Sequence, residues 1–361
     1  MGAAVSACLK SSQRAGFNSM STPLITAQIG CGYWGPNLLR NLVALTCAKV
    51  KYVAESSAQR RDYVTEKFPG VGVTPRWEDV LEDKEVQAVL IATPAFTHAD
   101  LTRKFLEAGK HVFVEKPLSM TSAEADDLLA LAKAKALTLM VGHTFLYNNA
   151  VRWLKGALER GEFGDLYCIY CQRLNLGQLR SDVNAWWNLA PHDLSILLFL
   201  MDGRLPDEIV AHGKAFIQPG IEDVVFANMT WKDGPVANVH VSWLDPHKMR
   251  RITVVGSRKM AVFDDMSNDA PITLFDKGFD EIPKIGERMD FDLTAARAGY
   301  TMRQGEIHIP VVERAEPLRA EIEDFVESIR AGRTPFSCPQ QARDVVWLLE
   351  QGGLALKKSH G

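Results

Sequence analysis

A glycine-rich turn between a short apolar strand and a helix constrains this chain more than any other feature. Residues 30–35 read Gly-Cys-Gly-Tyr-Trp-Gly, after the apolar segment Leu24–Gly30 and before a helix predicted over Pro36–Leu45. Apolar and amphipathic segments then alternate as far as Thr138–His143. Strands and helices alternating at this length predict an α/β fold with a doubly wound parallel sheet.

After about residue 148 the pattern changes to consecutive strands, which predict a second, largely antiparallel sheet. Residues 276–310 are irregular and polar, so we expect a long loop there. The elements predicted in this half are helices Ala150–Arg160 and His192–Met201, strands Leu166–Asn175, Asp207–Ile217, Val224–Trp231, Val236–Trp243, Arg251–Val255 and Met260–Asp264, and closing helices Leu318–Arg330 and Gln340–Leu356.

The glycine turn has the G-x-G-x-x-G spacing of dinucleotide-binding folds, in the strand-to-helix context that such a site needs. Gly30, Gly32 and Gly35 would let a pyrophosphate approach the backbone at the helix N-terminus, beside Tyr33 and Trp34. Glu55 ends the second predicted strand, where a carboxylate accepts hydrogen bonds from the adenosine ribose and repels a 2′-phosphate. The sequence therefore predicts NAD, while Arg60 and Arg61 leave NADP as the alternative.

The predicted division is a disordered tail over 1–22, an NAD-binding Rossmann domain over 23–147 and an α/β domain over 148–361. We expect the closing helices to pack back on the Rossmann domain. Residues 1–22 hold two basic residues and no acidic one, and Met1–Ser6 matches the N-myristoylation pattern. A transit peptide is a further interpretation, but we favour an upstream start codon with Met20 as the true start.

Composition excludes several classes of protein. The 361 residues carry 41 basic and 44 acidic side chains, so no basic excess points to nucleic acid or an anionic membrane. No apolar run reaches the ~18–20 residues of a membrane span. Six scattered cysteines favour a reduced, cytoplasmic setting. Cys168 and Cys171 would face opposite sides of one strand, so no metal site is predicted.

Chemistry-bearing residues follow two other predicted strands. Glu115-Lys116-Pro117 falls at the carboxyl end of a parallel strand, the edge where ligands bind in such sheets. Neighbouring strand residues face opposite ways, so only one of Glu115 and Lys116 can point at a substrate, and Lys116 could stabilise a developing alkoxide. Thr93, Pro94 and His98 would line the same edge, although Thr97 and His98 could simply cap a helix.

Asn188-Leu189-Ala190-Pro191-His192-Asp193 precedes an apolar run. Pro191 suits the first position of a helix, which would place His192 in the first turn. The positive helix end would favour the neutral imidazole, the form that acts as a base, and Asp193 would oppose that effect. A histidine satisfied within the core is the alternative.

Taken together, these motifs resemble the glucose-fructose oxidoreductase, inositol dehydrogenase and rhizopine-catabolism family. The resemblance covers about residues 24–356 and rests on Gly30–Gly35, Thr93–His98, Gly109–Val112, Glu115–Pro117 and the surroundings of His192. It implies a Rossmann domain that binds NAD through Thr93, Pro94, His98, Glu115 and Lys116 as well as the glycine turn. It also implies catalytic roles for Lys116 and His192, and an open sheet that packs against another subunit in a homodimer or homotetramer.

Other segments resemble a subgroup that acts on nucleotide-activated sugars, including 3-dehydrogenases of UDP-N-acetylglucosamine and its uronate. They are Val141–Phe145, Arg173–Gly177, Asp182–Asn184 and Leu189–Ser195. Many members carry Asp four residues before the catalytic histidine, where this chain has Asn188. An amide cannot act as a carboxylate base, but it can still hydrogen-bond a sugar hydroxyl.

The resulting hypothesis is hydride transfer between NAD and a sugar ring carbon, C3 of a nucleotide sugar. His192 would accept the proton and Lys116 would polarise the same oxygen. The residues predicted to contact the substrate are Asn188, Tyr147, Arg173, Asn175 and Arg180, with surface ion pairs as the alternative for the two arginines. A glycosidase with an internal redox cycle and a non-catalytic NAD or sugar sensor are the competing hypotheses.

Overall fold

The computed structural model describes residues 22–177, 179–279 and 302–359, which cluster into two compact units. The first unit contains the residues up to 148 together with 194–204 and 315–351, and the second contains 149–193, 205–314 and the residues from 352. The predicted tail, apart from Thr22, lies outside the described residues. Nowhere in the described ranges is a helix both long and apolar enough to cross a membrane.

The described residues form the α-helices on which both units are built. They are α1 (Gly35–Val43), α2 (Ala58–Lys67), α3 (Trp77–Glu82), α4 (His98–Glu107), α5 (Ser122–Ala134), α6 (Asn149–Glu159), α7 (Ala185–Leu200), α8 (Pro317–Ala331) and α9 (Pro339–Ser359). In the first unit α8 packs on the sheet, where the rings of Phe325 and Phe113 meet edge to face at 5.8 Å.

Six parallel strands form the sheet of the first unit, in the order β3-β2-β1-β4-β5-β6. They are β1 (Leu24–Ile29), β2 (Ala48–Ala54), β3 (Gly72–Thr74), β4 (Ala88–Ile91), β5 (His111–Glu115) and β6 (Leu139–Gly142). The four residues of β4 are wholly buried, as in strands that are covered on both faces. The strands β1 to β3 run toward one edge of the sheet, and β4 to β6 run from β1 toward the other edge. This reversal confirms the predicted doubly wound sheet.

The second unit contains an eight-stranded sheet, in the order β14-β13-β12-β11-β7-β10-β9-β8. Its strands are β7 (Leu166–Leu176), β8 (Glu208–Lys214), β9 (Val224–Thr230), β10 (Val236–Ser242), β11 (Leu244–Gly256), β12 (Met260–Asp264), β13 (Ile272–Phe279) and β14 (Met302–His308). Among the pairings of the described strands, only β7–β10 is parallel, so the predicted large, mostly antiparallel sheet is confirmed.

One face of this sheet carries exposed apolar side chains. Alternate residues of β7 point to opposite faces, so Tyr170 is exposed while Cys171 is buried. Strand register places Val210, Phe226 and Val236 on the same face as Tyr170, and all four are 42–50% exposed. The open face predicted for this sheet is therefore present in the single chain.

The long loop predicted over residues 276–310 is partly wrong. Its first residues complete β13, its residues 302–308 form β14, and residues 280–301 lie outside the described residues. The strand Met302–His308 is mostly polar and exposed, because it pairs with β13 at the edge of the sheet. An edge strand buries little, so it lacks the apolar alternation by which strands are recognised.

Candidate active site

The glycine turn joins β1 to α1 in a conformation that only glycine tolerates. Gly30 has φ +86°, and a Cβ there would lie 2.8 Å from the carbonyl oxygen of Ala92. A Cβ on Gly35 would lie 3.0 Å from the carbonyl oxygen of Gly30. Gly32, in contrast, faces open space, with no atom within 4 Å of a Cβ at that position. The turn is thus tight on its protein side and open at Gly32.

Sequence reasoning missed Gln28, which supports this turn from inside. Its buried side-chain amide donates hydrogen bonds to the carbonyl oxygens of Gly30 at 2.8 Å and Gly35 at 3.1 Å. Both ends of the turn are therefore tied to β1. The available signal was a polar residue in an otherwise apolar strand, because a buried amide needs hydrogen-bond partners.

Glu55 follows β2, and its carboxylate accepts hydrogen bonds from two backbone amides, one in the glycine turn and one just after Glu55. Its Oε2 accepts a hydrogen bond from the amide of Cys31 at 2.7 Å, and its Oε1 accepts one from the amide of Ser57 at 2.9 Å. Arg60 donates to the carbonyl oxygen of Gly32 at 3.2 Å, and Arg61 to that of Glu55 at 2.8 Å. The carboxylate predicted to bind the ribose thus lies against the glycine turn.

The residues at this turn fit a dinucleotide. Gly32 leaves room for a close approach to the backbone, and α1 starts within the turn with Pro36 in its first positions. A helix N-terminus is suited to a pyrophosphate, although Pro36 has no N–H and the amide of Asn37 donates to the carbonyl oxygen of Trp34 at 2.9 Å. Glu55 supplies a carboxylate beside the turn. Tyr33 and Trp34 lie in the turn with exposed rings and stay predicted cofactor contacts.

His98 has a different role from the predicted cofactor contact. The imidazole is 1% exposed, and its Nδ1 and Nε2 lie 2.6 Å and 2.9 Å from the carbonyl oxygens of Pro117 and Thr93. The ring links the segments that follow β4 and β5 and is not available to a ligand. The hydroxyl of Thr93 lies 2.6 Å from that of Thr97, and Thr93 and Pro94 stay predicted cofactor contacts.

Glu115 and Lys116 lie at the carboxyl end of β5, as predicted from the sequence. The Glu115 carboxyl packs against Gly142, where a Cβ would lie 3.1 Å from both of its oxygens. Glu115 as a whole is half-buried, but its Oε1 is shielded from solvent, and burial raises the pKa of this carboxyl to about 7. Lys116 follows the last residue of β5 and is half-buried. Lys116 stays the predicted catalytic residue, and both residues stay predicted cofactor contacts.

Tyr147 is a structural residue and not the predicted substrate contact. It is 3% exposed, and its hydroxyl donates to Asp324 Oδ2 at 2.6 Å and accepts from the amide of Ser337 at 3.1 Å. Asp324 also accepts from Arg333 Nη2 at 2.6 Å. Both partners of the phenol lie more than 170 residues further along the chain, so local sequence carries no signal for this burial.

The helix that carries His192 begins earlier than predicted. The helix α7 starts at Ala185, so Pro191 lies inside it and His192 is not in its first turn. The argument that the helix N-terminus favours a neutral His192 is therefore wrong. The side-chain oxygen of Asn184 accepts a hydrogen bond from the amide of Trp187 at 3.0 Å, which caps the start of α7. This cap was the signal for the earlier start.

Asn188 and His192 are four residues apart on α7 and therefore share a face of this helix. The Oδ1 of Asn188 accepts a hydrogen bond from the indole Nε1 of Trp243 at 3.2 Å. This bond fixes the orientation of the side-chain amide. Both side chains are half-buried. They stay predicted substrate-contacting and catalytic residues.

Arg173 forms a buried ion pair with Asp193. This pairing contradicts the prediction that Arg173 contacts the substrate. The guanidinium donates Nε and Nη2 to the two carboxylate oxygens of Asp193 at 2.8 Å and 3.0 Å. Arg173 is 5% exposed and Asp193 is 1% exposed. The ion-pair alternative was right about the pairing and wrong about its location, because the pair is buried.

Arg180 and Asn175 stay predicted substrate contacts. Arg180 donates Nε and Nη2 to the carboxylate of Asp182 at 2.8 Å and 2.7 Å, but this pair is partly exposed. The Asn175 amide packs against Gly177, where a Cβ would lie 2.8 Å from Nδ2. Both residues are half-buried.

Two family models match the chain. One, described as an oxidoreductase family with an NAD-binding Rossmann fold, matches residues 25–143. The other, described as the GFO/IDH/MocA C-terminal domain, matches residues 151–262. The chain belongs to this oxidoreductase family. The family inferred from the motifs is thereby confirmed, together with NAD as the cofactor of the Rossmann domain.

Named relatives in the family act on sugars and inositols. A UDP-N-acetylglucosamine 3-dehydrogenase from Acidithiobacillus ferrooxidans is 30% identical over 253 residues, covering 70% of this chain and 73% of the relative. A solved structure of a protein with this name and source aligns with a TM-score of 0.75 at 25% identity, covering 94% of this chain and 99% of that one. A myo-inositol 2-dehydrogenase from Thermotoga maritima is 24% identical, covering 92% and 94%.

This Gfo/Idh/MocA oxidoreductase is thus an NAD(P)-dependent dehydrogenase that acts on CH–OH groups. Its first unit carries the glycine turn and Lys116, and its second unit carries Asn188, His192 and the Arg173–Asp193 pair.

Proposed function

We propose that this dehydrogenase transfers a hydride between NAD and C3 of a nucleotide-activated sugar, such as a UDP-N-acetylhexosamine. The carrying observation is the order of the parallel sheet, in which β4 alone separates β1 from β5. The glycine turn and Lys116 therefore emerge at the same edge of the sheet, where ligands bind in open α/β folds. The name of the relative that is 30% identical supports the sugar class.

Each proposed chemical role follows from the environment of one side chain. NAD, when bound at the glycine turn, would supply the acceptor for the carbon-bound hydrogen of the alcohol, which leaves as hydride. The Lys116 ammonium donates a hydrogen bond to the alcohol oxygen and stabilises the negative charge that develops there. His192 accepts the hydroxyl proton, which leaves a ketone. In the reverse direction the same groups return the proton to the oxygen.

Substrate orientation is proposed for Asn188, Asn175 and Arg180. Trp243 fixes the orientation of the Asn188 amide, and an amide in this place could hydrogen-bond a sugar hydroxyl. An amide at this position orients a substrate without taking its proton. Arg180 can exchange Asp182 for a diphosphate, since both anions match its forked donors.

The proposed preference for NAD over NADP rests on Glu55. Its carboxylate lies against the glycine turn through the amide of Cys31, and a 2′-phosphate beside it would be repelled. Titration of wild type and Glu55→Gln with each cofactor tests this. We expect the ratio of the NADP to the NAD dissociation constant to fall at least tenfold in Glu55→Gln, and an unchanged ratio would refute the preference.

Turnover is tested by absorbance at 340 nm, with NAD⁺ and NADP⁺ each combined with UDP-sugars, free sugars and inositols. We expect NADH formation with a UDP-sugar, and product analysis should locate the new ketone at C3. Turnover only with an inositol or a free sugar would reject the substrate class. Release of a leaving group without net NADH would favour the internal redox glycosidase, and tight binding without any reaction would favour the sensor.

The roles of the side chains are tested by Lys116→Ala and His192→Ala, with the exposed Lys84→Ala as the matched control. We expect each active-site change to lower kcat at least 100-fold while NAD still binds. Lys84→Ala should behave as wild type. Unchanged kcat in Lys116→Ala would reject its proposed role.

We also propose that the exposed sheet face with Tyr170, Phe226 and Val236 joins subunits into a homodimer or homotetramer. An apolar surface of this kind is typical of an interface between copies. Light scattering on the purified protein should give a multiple of the chain mass. Tyr170→Lys with Phe226→Lys should dissociate it, and a monomeric wild type would reject the proposal.

A further inference from the structure

Three titratable side chains with solvent-shielded polar atoms lie near the carboxyl end of β5, apart from the groups proposed to touch the substrate. The Oε1 of Glu115, both ring nitrogens of His143 and the Oε1 of Glu321 are shielded from solvent and have no hydrogen-bond partner among the described residues. Buried polar atoms normally have hydrogen-bond partners, so a group of such atoms without partners needs a physical explanation.

One short segment of backbone brings these side chains together. Gly142 pairs with Glu115 across β5 and β6, and its Cα hydrogen faces the Glu115 carboxyl. His143 follows directly, and the hydroxyl of Thr144 donates a hydrogen bond to Oε2 of Glu321 at 2.7 Å. Glu321 reaches this segment from α8 and is completely buried. Two carboxyl groups therefore approach the same three consecutive residues.

The charges around the cluster oppose ionisation of both carboxyl groups at once. Burial, followed by the charge of Glu115, raises the pKa of Glu321 well above its usual range. Burial raises the pKa of Glu115 to about 7, against the opposing effect of Lys116. Burial and Lys116 lower the pKa of His143 to about 3, so this ring is neutral.

Several charged or titratable groups among the described residues surround the cluster, among them Tyr147, whose pKa is raised by burial and by the charges of Asp324 and Glu321. Lys116 follows β5, His98 of α4 lies close enough for Lys116 to lower its pKa, and Trp34 in the glycine turn contacts the Glu115 carboxyl. Asp324 lies one turn from Glu321 on α8, but its charge is balanced by Arg333 at 2.6 Å, and it accepts the hydroxyl of Tyr147. No cation among the described groups is bound to Glu321 by an ion pair.

We propose that the buried Glu321 is protonated in the folded protein, that Glu115 is thereby free to ionise beside Lys116, and that Glu115 is a positioning residue which acts on the Lys116 ammonium. A neutral Glu321 removes the repulsion that a second anion would create, while Thr144 fixes its orientation. The effect on Lys116 rests on the proposed function, but the protonation of Glu321 does not.

Infrared spectroscopy tests the proton directly, without any need for turnover. At pH 8 the wild type minus Glu321→Gln difference spectrum should show the C=O stretch of a protonated carboxylic acid. Thr144→Val should keep this band at a shifted frequency, because it removes the hydroxyl bonded to Glu321 in an otherwise intact protein. Glu323→Gln, two residues along α8 and paired with Arg319 at the surface, should show no such band. Absence of the band from the Glu321→Gln difference spectrum would overturn the proposal.

The pH profile of kcat tests the link to Lys116 once a substrate is known. Glu115→Gln should move the alkaline limb to lower pH by about one unit, because the ammonium loses its neighbouring anion. Glu321→Gln should leave this limb in place, since an uncharged amide replaces an uncharged acid. Equal shifts in both variants would show that Glu321 is ionised and would reject the assignment of its proton. No shift in Glu115→Gln would reject its action on Lys116.

Discussion

The carboxyl edge of the parallel sheet and the region between Arg173 and Asp193 hold polar side chains in different ways. At the edge, backbone groups satisfy Gln28, Glu55 and His98, so these side chains lock the turns around a ligand site. In the second region a charged side chain binds another charged side chain, as in the Arg173–Asp193 pair. Arg173 and Arg180 are the same residue type, and each is paired with an aspartate. Burial distinguishes them, because the Arg173 pair is buried and the Arg180 pair is partly exposed.

The largest effect is expected from breaking the buried pair. Arg173→Met leaves the Asp193 carboxylate buried without its counterion, which should lower the free energy of unfolding by about 3–5 kcal/mol. Chemical denaturation monitored by circular dichroism measures this loss. Adding Asp193→Leu to Arg173→Met should restore much of the stability, since the unpaired charge is gone. A loss below about 1 kcal/mol in the single variant would contradict the structural role.

The next effect depends on pH and concerns Glu115. Its folded-state pKa of about 7 lies above that of an exposed glutamic acid, so the folded state binds this proton more tightly than the unfolded state. The free energy of unfolding therefore falls as the pH rises from ~4.5 to 7. Above pH 7 the total loss that is due to Glu115 is about 3 kcal/mol. In Glu115→Gln this loss is absent, and its stability relative to wild type should increase between pH 5 and pH 8. Denaturation at both pH values checks the sign, and Glu323→Gln should show no such trend.

Substitutions in the glycine turn should lower the free energy of unfolding by a smaller amount. Gly30→Ala forces a side chain into positive φ and against the carbonyl of Ala92, which should cost about 2 kcal/mol and weaken NAD binding. Gly32→Ala meets no protein atom, so it should keep the melting temperature and weaken only NAD binding. Thermal unfolding and calorimetric titration separate the two effects. Equal stability of the two variants would show that the turn is not strained.

The smallest change in stability is expected for the partly exposed pair. Arg180→Met should lower the free energy of unfolding by less than about 1 kcal/mol, because water screens Arg180 and Asp182. If Arg180 binds a diphosphate, the same change should raise KM for the nucleotide sugar with little effect on kcat. The contrast with Arg173→Met is the sharpest test of the comparison between the two pairs. Similar destabilisation by both variants would refute it.

Local patterns predicted the parts of the fold that depend on neighbours in the chain. Apolar segments with intervening helices predicted the strands of the parallel sheet, and the glycine spacing predicted the turn before α1. The same reasoning failed for β14, which buries too few side chains to show an apolar alternation. It also failed for Pro191, which was interpreted as a helix start although α7 begins at Ala185. A proline can lie inside a helix when tertiary packing outweighs the lost hydrogen bond.

The sequence by itself determined the order of strands and helices in the parallel sheet, the glycine turn and the place of Lys116 at the end of β5. These features follow from periodicity and from the conformations open to glycine and proline, which act over a few residues. Only the tertiary structure decided that Tyr147 binds Asp324, that Arg173 faces Asp193 and that Glu115 shares its surroundings with Glu321. These partners come from distant elements, and whether a polar group is free for chemistry depends on what packing brings against it.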